Sequence, residues 1–162
     1  MLPNFFEVQG KSRASVIVGS KWLPDSNVSY PPVRRRLSRA FNWLTRFLFQ
    51  LPVSDCQLGF KLYRSEAIQA TVRSLLVKRF AFDLEVLATL RLEGIRAAEA
   101  PVVLRFSRPD GGRLGLRTML TIARESAGIW YRLYISNYYR RRIPSSEQEV
   151  VAAIGPSAVS AL

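Results

Sequence analysis

Between Val33 and Leu51 the apolar residues Val33, Leu37, Ala40, Phe41, Leu44, Leu48 and Leu51 recur at steps of three and four, the spacing of one face of an α-helix. The pattern predicts a long amphipathic helix. Pro52 closes it, because proline removes a backbone donor and its ring clashes with the preceding turn. Arg35, Arg39 and Arg46, with Asn42 among them, are expected on the stripe opposite the core. Arg34, Arg35, Arg36 and Arg39 have no acidic neighbour in sequence, and Phe41, Trp43, Phe47 and Phe49 carry aromatic surface beyond the apolar stripe. Unpaired guanidinium groups beside aromatics suit a membrane interface with anionic headgroups. The same charges would also meet a nucleic-acid backbone, and a solvated surface helix is the plainer alternative.

The remainder of the chain has the same sign. Its 162 residues hold 24 Lys and Arg against 12 Asp and Glu, a net charge of +12, with 48% apolar residues. That is enough apolar surface for one domain with a core, and the charge favours phosphate-bearing partners. Histidine is absent and cysteine occurs once, at Cys56, so zinc sites, nucleophile–histidine systems and disulfide frameworks lack their parts. Any metal must be hard and oxygen-bound. The apolar-rich stretch 41–53 is broken by Arg46 and falls short of the ~20 residues that span a bilayer. No secretory signal opens the sequence, and with the single cysteine this predicts a cytoplasmic protein.

Elsewhere the chain alternates. "ASVIVGS" (14–20) reads as a buried strand ending in a tight turn, and "KWLPDSNVSYPP" (21–32), with three prolines, as a loop. After Pro52 a polar turn, 54–57, leads into a half-buried strand, "GFKLYR" (59–64), then a helix from Ser65 to about residue 76. A second helix, 82–94, is expected to start at Asp83 as its capping residue and to stop at Gly94. "IRAAEAPVVLRF" (95–106) predicts a strand kept off a central position by Pro101. A basic turn, 107–113, precedes a long helix over 114–139, and 143–162 reads as a loose tail after a domain covering 1–142. The fold class is α/β, with too few strands for a complete doubly wound sheet.

Several residues have chemistry to offer. Arg34 and Ser38, four apart at a helix start, would share a face where free N–H groups and the helix dipole favour an anion, enough to hold one phosphate; the alternative is Ser38 as an ordinary helix residue with Arg34 in solvent. Asp55 and Gln57 suit a turn, and Gly59 suits backbone geometry. Asp83 and Glu85 form a D-x-E pair, but two residues apart on a helix they do not face each other, so a joint metal site is not expected. "PDGGR" is either a phosphate-cradling loop or a flexible turn.

In order and spacing, "VIVGSK", "DSNVSYPPVRRRLS", "LPVSDCQLGFKLYR", "LLVKRFAFDLEVL" and "EAPVVLRF" resemble the second half of a family 2 glycosyltransferase of the polyprenyl-phosphate (dolichyl-phosphate) sugar synthase type, over about residues 13–142. The resemblance implies a partial GT-A (Rossmann-like) fold with an amphipathic interfacial helix. It implies a peripheral protein at the inner, cytoplasmic membrane face, moving a sugar from a nucleotide-sugar donor to a lipid phosphate acceptor with Mg2+ or Mn2+. Matched position by position, Lys21, Arg34 and Ser38 bind the acceptor phosphate. Asp83 orients the acceptor or deprotonates a hydroxyl one, Asp55 joins it as a catalytic carboxylate, and Gln57, Gly59 and Lys61 line the cleft. Arg105 or Arg113 reaches the donor diphosphate. Members of the family commonly carry arginine where Lys21 stands, and lysine keeps the charge without the bidentate fork.

The family's first half brings the nucleotide-binding strands and a D-x-D metal pair, and the sequence contains no D-x-D. The expectation is therefore an acceptor-side part, inactive alone, whose metal ligands lie outside this chain and whose other half is a further partner. A non-catalytic basic module that binds anionic membrane or nucleic acid is the alternative. The leading reading has no nucleic-acid partner.

Overall fold

A computed structural model describes residues 2–29, 32–79, 81–105 and 116–142, without the side chains at 32–34, 70, 105 and 116. The helices are α1 (Leu2–Ser12), α2 (Pro32–Phe49), α3 (Ser65–Val72), α4 (Phe82–Leu92), α5 (Leu116–Tyr134) and α6 (Tyr138–Arg142). The strands are β1 (Val16–Ser20), β2 (Asn27–Ser29), β3 (Lys61–Tyr63), β4 (Ala97–Pro101) and β5 (Val103–Arg105).

The β-branched run of β1 forms the middle of a three-stranded sheet in the order β3-β1-β4. β3 pairs with it antiparallel, Ile17 opposite Leu62, and β4 parallel, Ile17 opposite Ala98. All five residues of β1 are buried, as a strand covered on both faces must be. Alternate side chains then serve two cores, as the period of two requires. Val16 and Val18 join Leu84, Leu87, Ile129 and Tyr139 on one face, whereas Ile17 joins Phe5, Ala100 and Val102 on the other. Phe5 brings α1 onto the second face, where its ring meets Phe60 edge-on at 4.7 Å. A second, two-stranded parallel sheet pairs β2 with β5.

The mixed α/β class is as expected, and several boundaries differ. α1 answers to no feature read from the sequence, and β2 lies inside the stretch expected to be loop. The strand expected over 95–106 changes sheet after Pro101, since a residue without an N–H is poorly placed to extend a ladder. α3 ends at Val72, earlier than expected, and the helix expected over 114–139 breaks between α5 and α6, where Asn137 is left-handed at φ 50°. Gly94, at φ 76°, follows the last turn of α4 as expected. The capping position of α4 is Ala81, not Asp83, because Asp83 turns to Lys61 instead of the helix's own amides. The tail 143–162 and the loop with Arg113 lie outside the described residues.

The largest departure concerns α2. Its buried side chains are Asn42, Thr45 and Phe49, while Leu37, Leu44 and Leu48 of the expected core stripe are exposed. Trp43 and Phe47 stand 67% and 70% exposed, their rings stacked at 5.9 Å. Asn42 therefore does not accompany the arginines outward. It turns inward because the segment beneath α2 is polar: the Cys56 thiol donates to Asn42 Oδ1 at 3.4 Å and shares a hydrogen bond of 3.2 Å with the Thr45 hydroxyl.

Candidate functional site

β1 delivers Lys21 at its C-terminal end, the edge of a sheet where ligands of α/β proteins gather. Gly19 lets the segment 54–60 lie directly over the strand. A Cβ at Gly19 would stand 2.9 Å from both Leu58 Cδ2 and Val102 Cγ1 and 3.0 Å from the Phe60 carbonyl oxygen.

Within that segment Asp55 is a hub. Its Oδ1 accepts the Gln57 and Leu58 amides at 3.2 and 3.3 Å, and its Oδ2 accepts the Lys21 amide at 3.2 Å and pairs with Lys21 Nζ at 3.0 Å. Next to it, Ser54 donates through its amide and its hydroxyl to Glu99 Oε1 at 2.7 and 2.6 Å, and its hydroxyl meets that of Ser20 at 2.7 Å. The loop is thus pinned to β1 and β4 by charge-assisted hydrogen bonds, which run about twice as strong as neutral ones. Burial pushes the Cys56 thiol up to about 11, so this cysteine is a packing residue and not a nucleophile.

The same segment positions the second acid. Lys61 Nζ donates to the Leu58 carbonyl and pairs with Asp83 Oδ1 at 3.0 Å; the Lys61 side chain is 2% exposed and that of Asp83 33%. Asp83 and Gln57 line one small cleft with Phe41 of α2 and with Ile122 and Ser126 of α5. The Ser126 hydroxyl is buried there with no partner among the described residues. Burial pushes the Tyr63 phenol above its usual range, and the Asp83 charge adds to it. Glu85 points elsewhere, as its spacing from Asp83 requires. It is buried, accepts the Leu76 and Val77 amides at 3.1 and 2.8 Å, and is bonded to Tyr139 and Arg132.

The residues singled out from the sequence thus divide. Lys21 with Asp55, and Lys61 with Asp83, come together as two ion pairs held by one loop, and Gln57 joins Asp83. Asp55, which the resemblance makes a catalytic carboxylate beside Asp83, is not among the residues of that cleft; it is fully buried, and its carboxylate is spent on Lys21 and the loop amides. Ser38 is half-buried on α2, one turn after Arg34, whose side chain is outside the description. Gly59 is exposed, with nothing near a Cβ there. Arg105 ends β5, its side chain undescribed, and Arg113 is outside the described residues. Glu99, Ser54 and Ser20 were not foreseen. Glu99 is 45 residues from Ser54, so no local pattern announces their contact.

Among the described residues no group of three or more carboxylate, histidine or cysteine side chains converges to hold a metal. The acids present, Asp55, Asp83 and Glu99, are each engaged by a lysine or by loop hydrogen bonds. They do not fit a Mg2+ or Mn2+ site.

Over 127 residues, 77% of its length, the chain is 31% identical to glycosyltransferase AglD of Haloferax volcanii, covering 20% of that protein. It is 36% identical over 81 residues to the dolichyl-phosphate beta-glucosyltransferase of Homo sapiens, half of this chain and 24% of the human one. The Drosophila melanogaster dolichyl-phosphate beta-glucosyltransferase is 28% identical over 116 residues, 71% of this chain and 35% of the fly protein. These relatives support a dolichyl-phosphate sugar synthase-like family for the chain. It spans between a fifth and about a third of the length of these relatives. No family model and no solved structure matches it. No helix among the described residues is long and apolar enough to cross a membrane.

Proposed function

We propose that this chain supplies the acceptor side of a family 2, GT-A-type glycosyltransferase that moves a sugar from a nucleotide-sugar to a polyprenyl phosphate at the cytoplasmic membrane surface. The observation that carries the reading is the orientation of α2. It turns Leu37, Trp43, Leu44, Phe47 and Leu48 to solvent while its inner side rests on the loop that holds Lys21. A lipid-facing ridge beside a cationic strand end is what an acceptor with a charged head and a greasy chain requires. The relatives named for dolichyl-phosphate transfer support the same acceptor class.

In the reaction a phosphate oxygen of the acceptor attacks the anomeric carbon, the new oxygen–carbon bond replaces the bond to the nucleoside diphosphate, and the diphosphate leaves with the electron pair. A phosphate monoester loses its second proton near pKa ~6, so the nucleophile is already ionised at neutral pH and needs orientation more than a base. Lys21, Arg34 and Ser38 bind the head, and Asp55 acts through Lys21 by fixing its ammonium. Asp83, held by Lys61, orients the acceptor from the cleft it shares with Gln57, with Gly59 at the rim. Arg105 or Arg113 meets the departing diphosphate, where a guanidinium stabilises developing charge. The donor's metal, on this reading, is held by residues other than those described.

The test is flotation with phosphatidylglycerol vesicles in competition with duplex DNA. The chain should float, DNA should fail to release it, and Trp43→Glu/Phe47→Glu should sink it. Arg35→Glu should weaken binding roughly 30-fold, at ~1 kcal/mol for each charge removed and each opposed. Release by DNA, with the double variant still binding as before, would place the arginines on nucleic acid and end the proposal.

A further inference from the structure

Immediately after Lys21 the indole of Trp22 has two cations within reach of its ring. Lys21 Nζ is 6.0 Å from the ring centroid, and the guanidinium carbon of Arg39, two turns into α2, lies over the same ring at 5.2 Å. The two cations are not equivalent. Lys21 is paired with Asp55 at 3.0 Å, so together they contribute no net charge. Arg39 is exposed and has no carboxylate partner among the described residues. One turn to either side on α2 stand Arg35 and Trp43, neither an acid.

A guanidinium resting on an aromatic face gains cation–π attraction through its plane and keeps its N–H donors, which lie in that plane, for another acceptor. The platform has few other ties, since the Trp22 indole N–H is buried with no acceptor among the described residues. The charge balance points the same way. A phosphate monoester carries nearly two negative charges at neutral pH, and with Lys21 neutralised by Asp55 the cradle would meet it with Arg34 alone.

We propose that Arg39, braced on Trp22, binds the acceptor phosphate as a further cation, and that Trp22 is its positioning residue. This rests on the acceptor reading above and extends it to a residue that no family block marks. The planar fork supplies the bidentate grip that lysine at position 21 cannot.

The experiment is calorimetric titration of the full chain with geranyl phosphate, short enough to stay dissolved, with geraniol, inorganic phosphate and phosphatidylglycerol vesicles as separate arms. The wild-type chain should bind geranyl phosphate and ignore geraniol. Arg39→Gln should weaken that binding about tenfold, the scale of one charge-assisted contact, and Arg39→Lys should fall between the two. Trp22→Leu should weaken it comparably, and adding Arg39→Gln to it should cost little more, because residues acting as a unit are not additive. Arg39 is exposed, so its variants should keep the wild-type circular dichroism. If Arg39→Gln binds geranyl phosphate within twofold of wild type, the inference fails while the acceptor reading stands. It fails equally if the variant loses only vesicles or only inorganic phosphate, which would assign the arginine to headgroups or to free anions. Wild-type chain that takes up no geranyl phosphate would overturn both readings at once.

Discussion

Replacing Asp55 by Asn separates what holds the loop from what serves a ligand. The Asp55 side chain is 0% exposed and its partner Lys21 is 9% exposed, with 3.0 Å between the charges. Asparagine can still accept the Gln57 and Leu58 amides through its Oδ1, but its NH2 faces the Lys21 amide and ammonium, so the substitution removes the charge and the acceptor of one backbone N–H. Breaking one side of a buried pair costs about 3–5 kcal/mol, and the small exposure of Lys21 lets its ammonium find some water, which favours ~3 kcal/mol. Against a native stability of about 5–15 kcal/mol that is a large share. With a slope near 2 kcal/mol per molar urea, the unfolding midpoint should fall by roughly 1.5 M. Lys21→Met should cost at least as much, because the stranded carboxylate has no path to water. The double variant Lys21→Met/Asp55→Asn should be more stable than the two losses added together, with a coupling energy of about 2 kcal/mol. Its binding of geranyl phosphate should weaken without being abolished, because a donor is lost while the net charge of the cradle is unchanged. Urea unfolding followed by circular dichroism measures all four proteins. Losses that simply add, within about 0.5 kcal/mol, would refute the claim that the pair is a single buried unit.

Two further outcomes follow from the same packing. Gly19→Ala should destabilise by about 2 kcal/mol, the usual scale of an overpacked core, because Leu58, Val102 and the Phe60 carbonyl all stand within 3.0 Å of the new methyl; a thermal midpoint equal to wild type would contradict it. Burial raises the Cys56 thiol from 9.0 to about 11, so above pH 9 the unfolded chain loses a proton that the folded chain keeps, and stability falls as pH rises through that window. Between pH 8 and 10 the thiol should cost roughly 1.4 kcal/mol, a loss that Cys56→Ala should lack in parallel urea titrations.

How much of this was legible beforehand is seen best in α2. Its extent followed from period and proline, because helix geometry is local and repeats within four residues. Its orientation did not follow, since the leucines that set the period lie outward while Asn42 and Thr45 lie inward. An apolar stripe specifies which side of a helix avoids water, and leaves open whether a core or another apolar phase receives it. α1 has a single buried residue, Phe5, and one contact is too little to mark a period.

By itself the sequence determined the identity of β1, whose β-branched residues allow little but a buried strand, the stop at Gly94, the excess of positive charge and the absence of histidine chemistry. Each of these is a property of a few adjacent residues or of composition. Only the tertiary structure decided which charges cancel. Lys21 meets Asp55 across 34 positions and Lys61 meets Asp83 across 22, while Arg39 is left with a ring instead of an acid. Pairing between distant charges depends on how a few strands and one glycine bring segments within 3 Å, and Coulomb energy at that range in a buried setting outweighs any preference written in neighbouring residues.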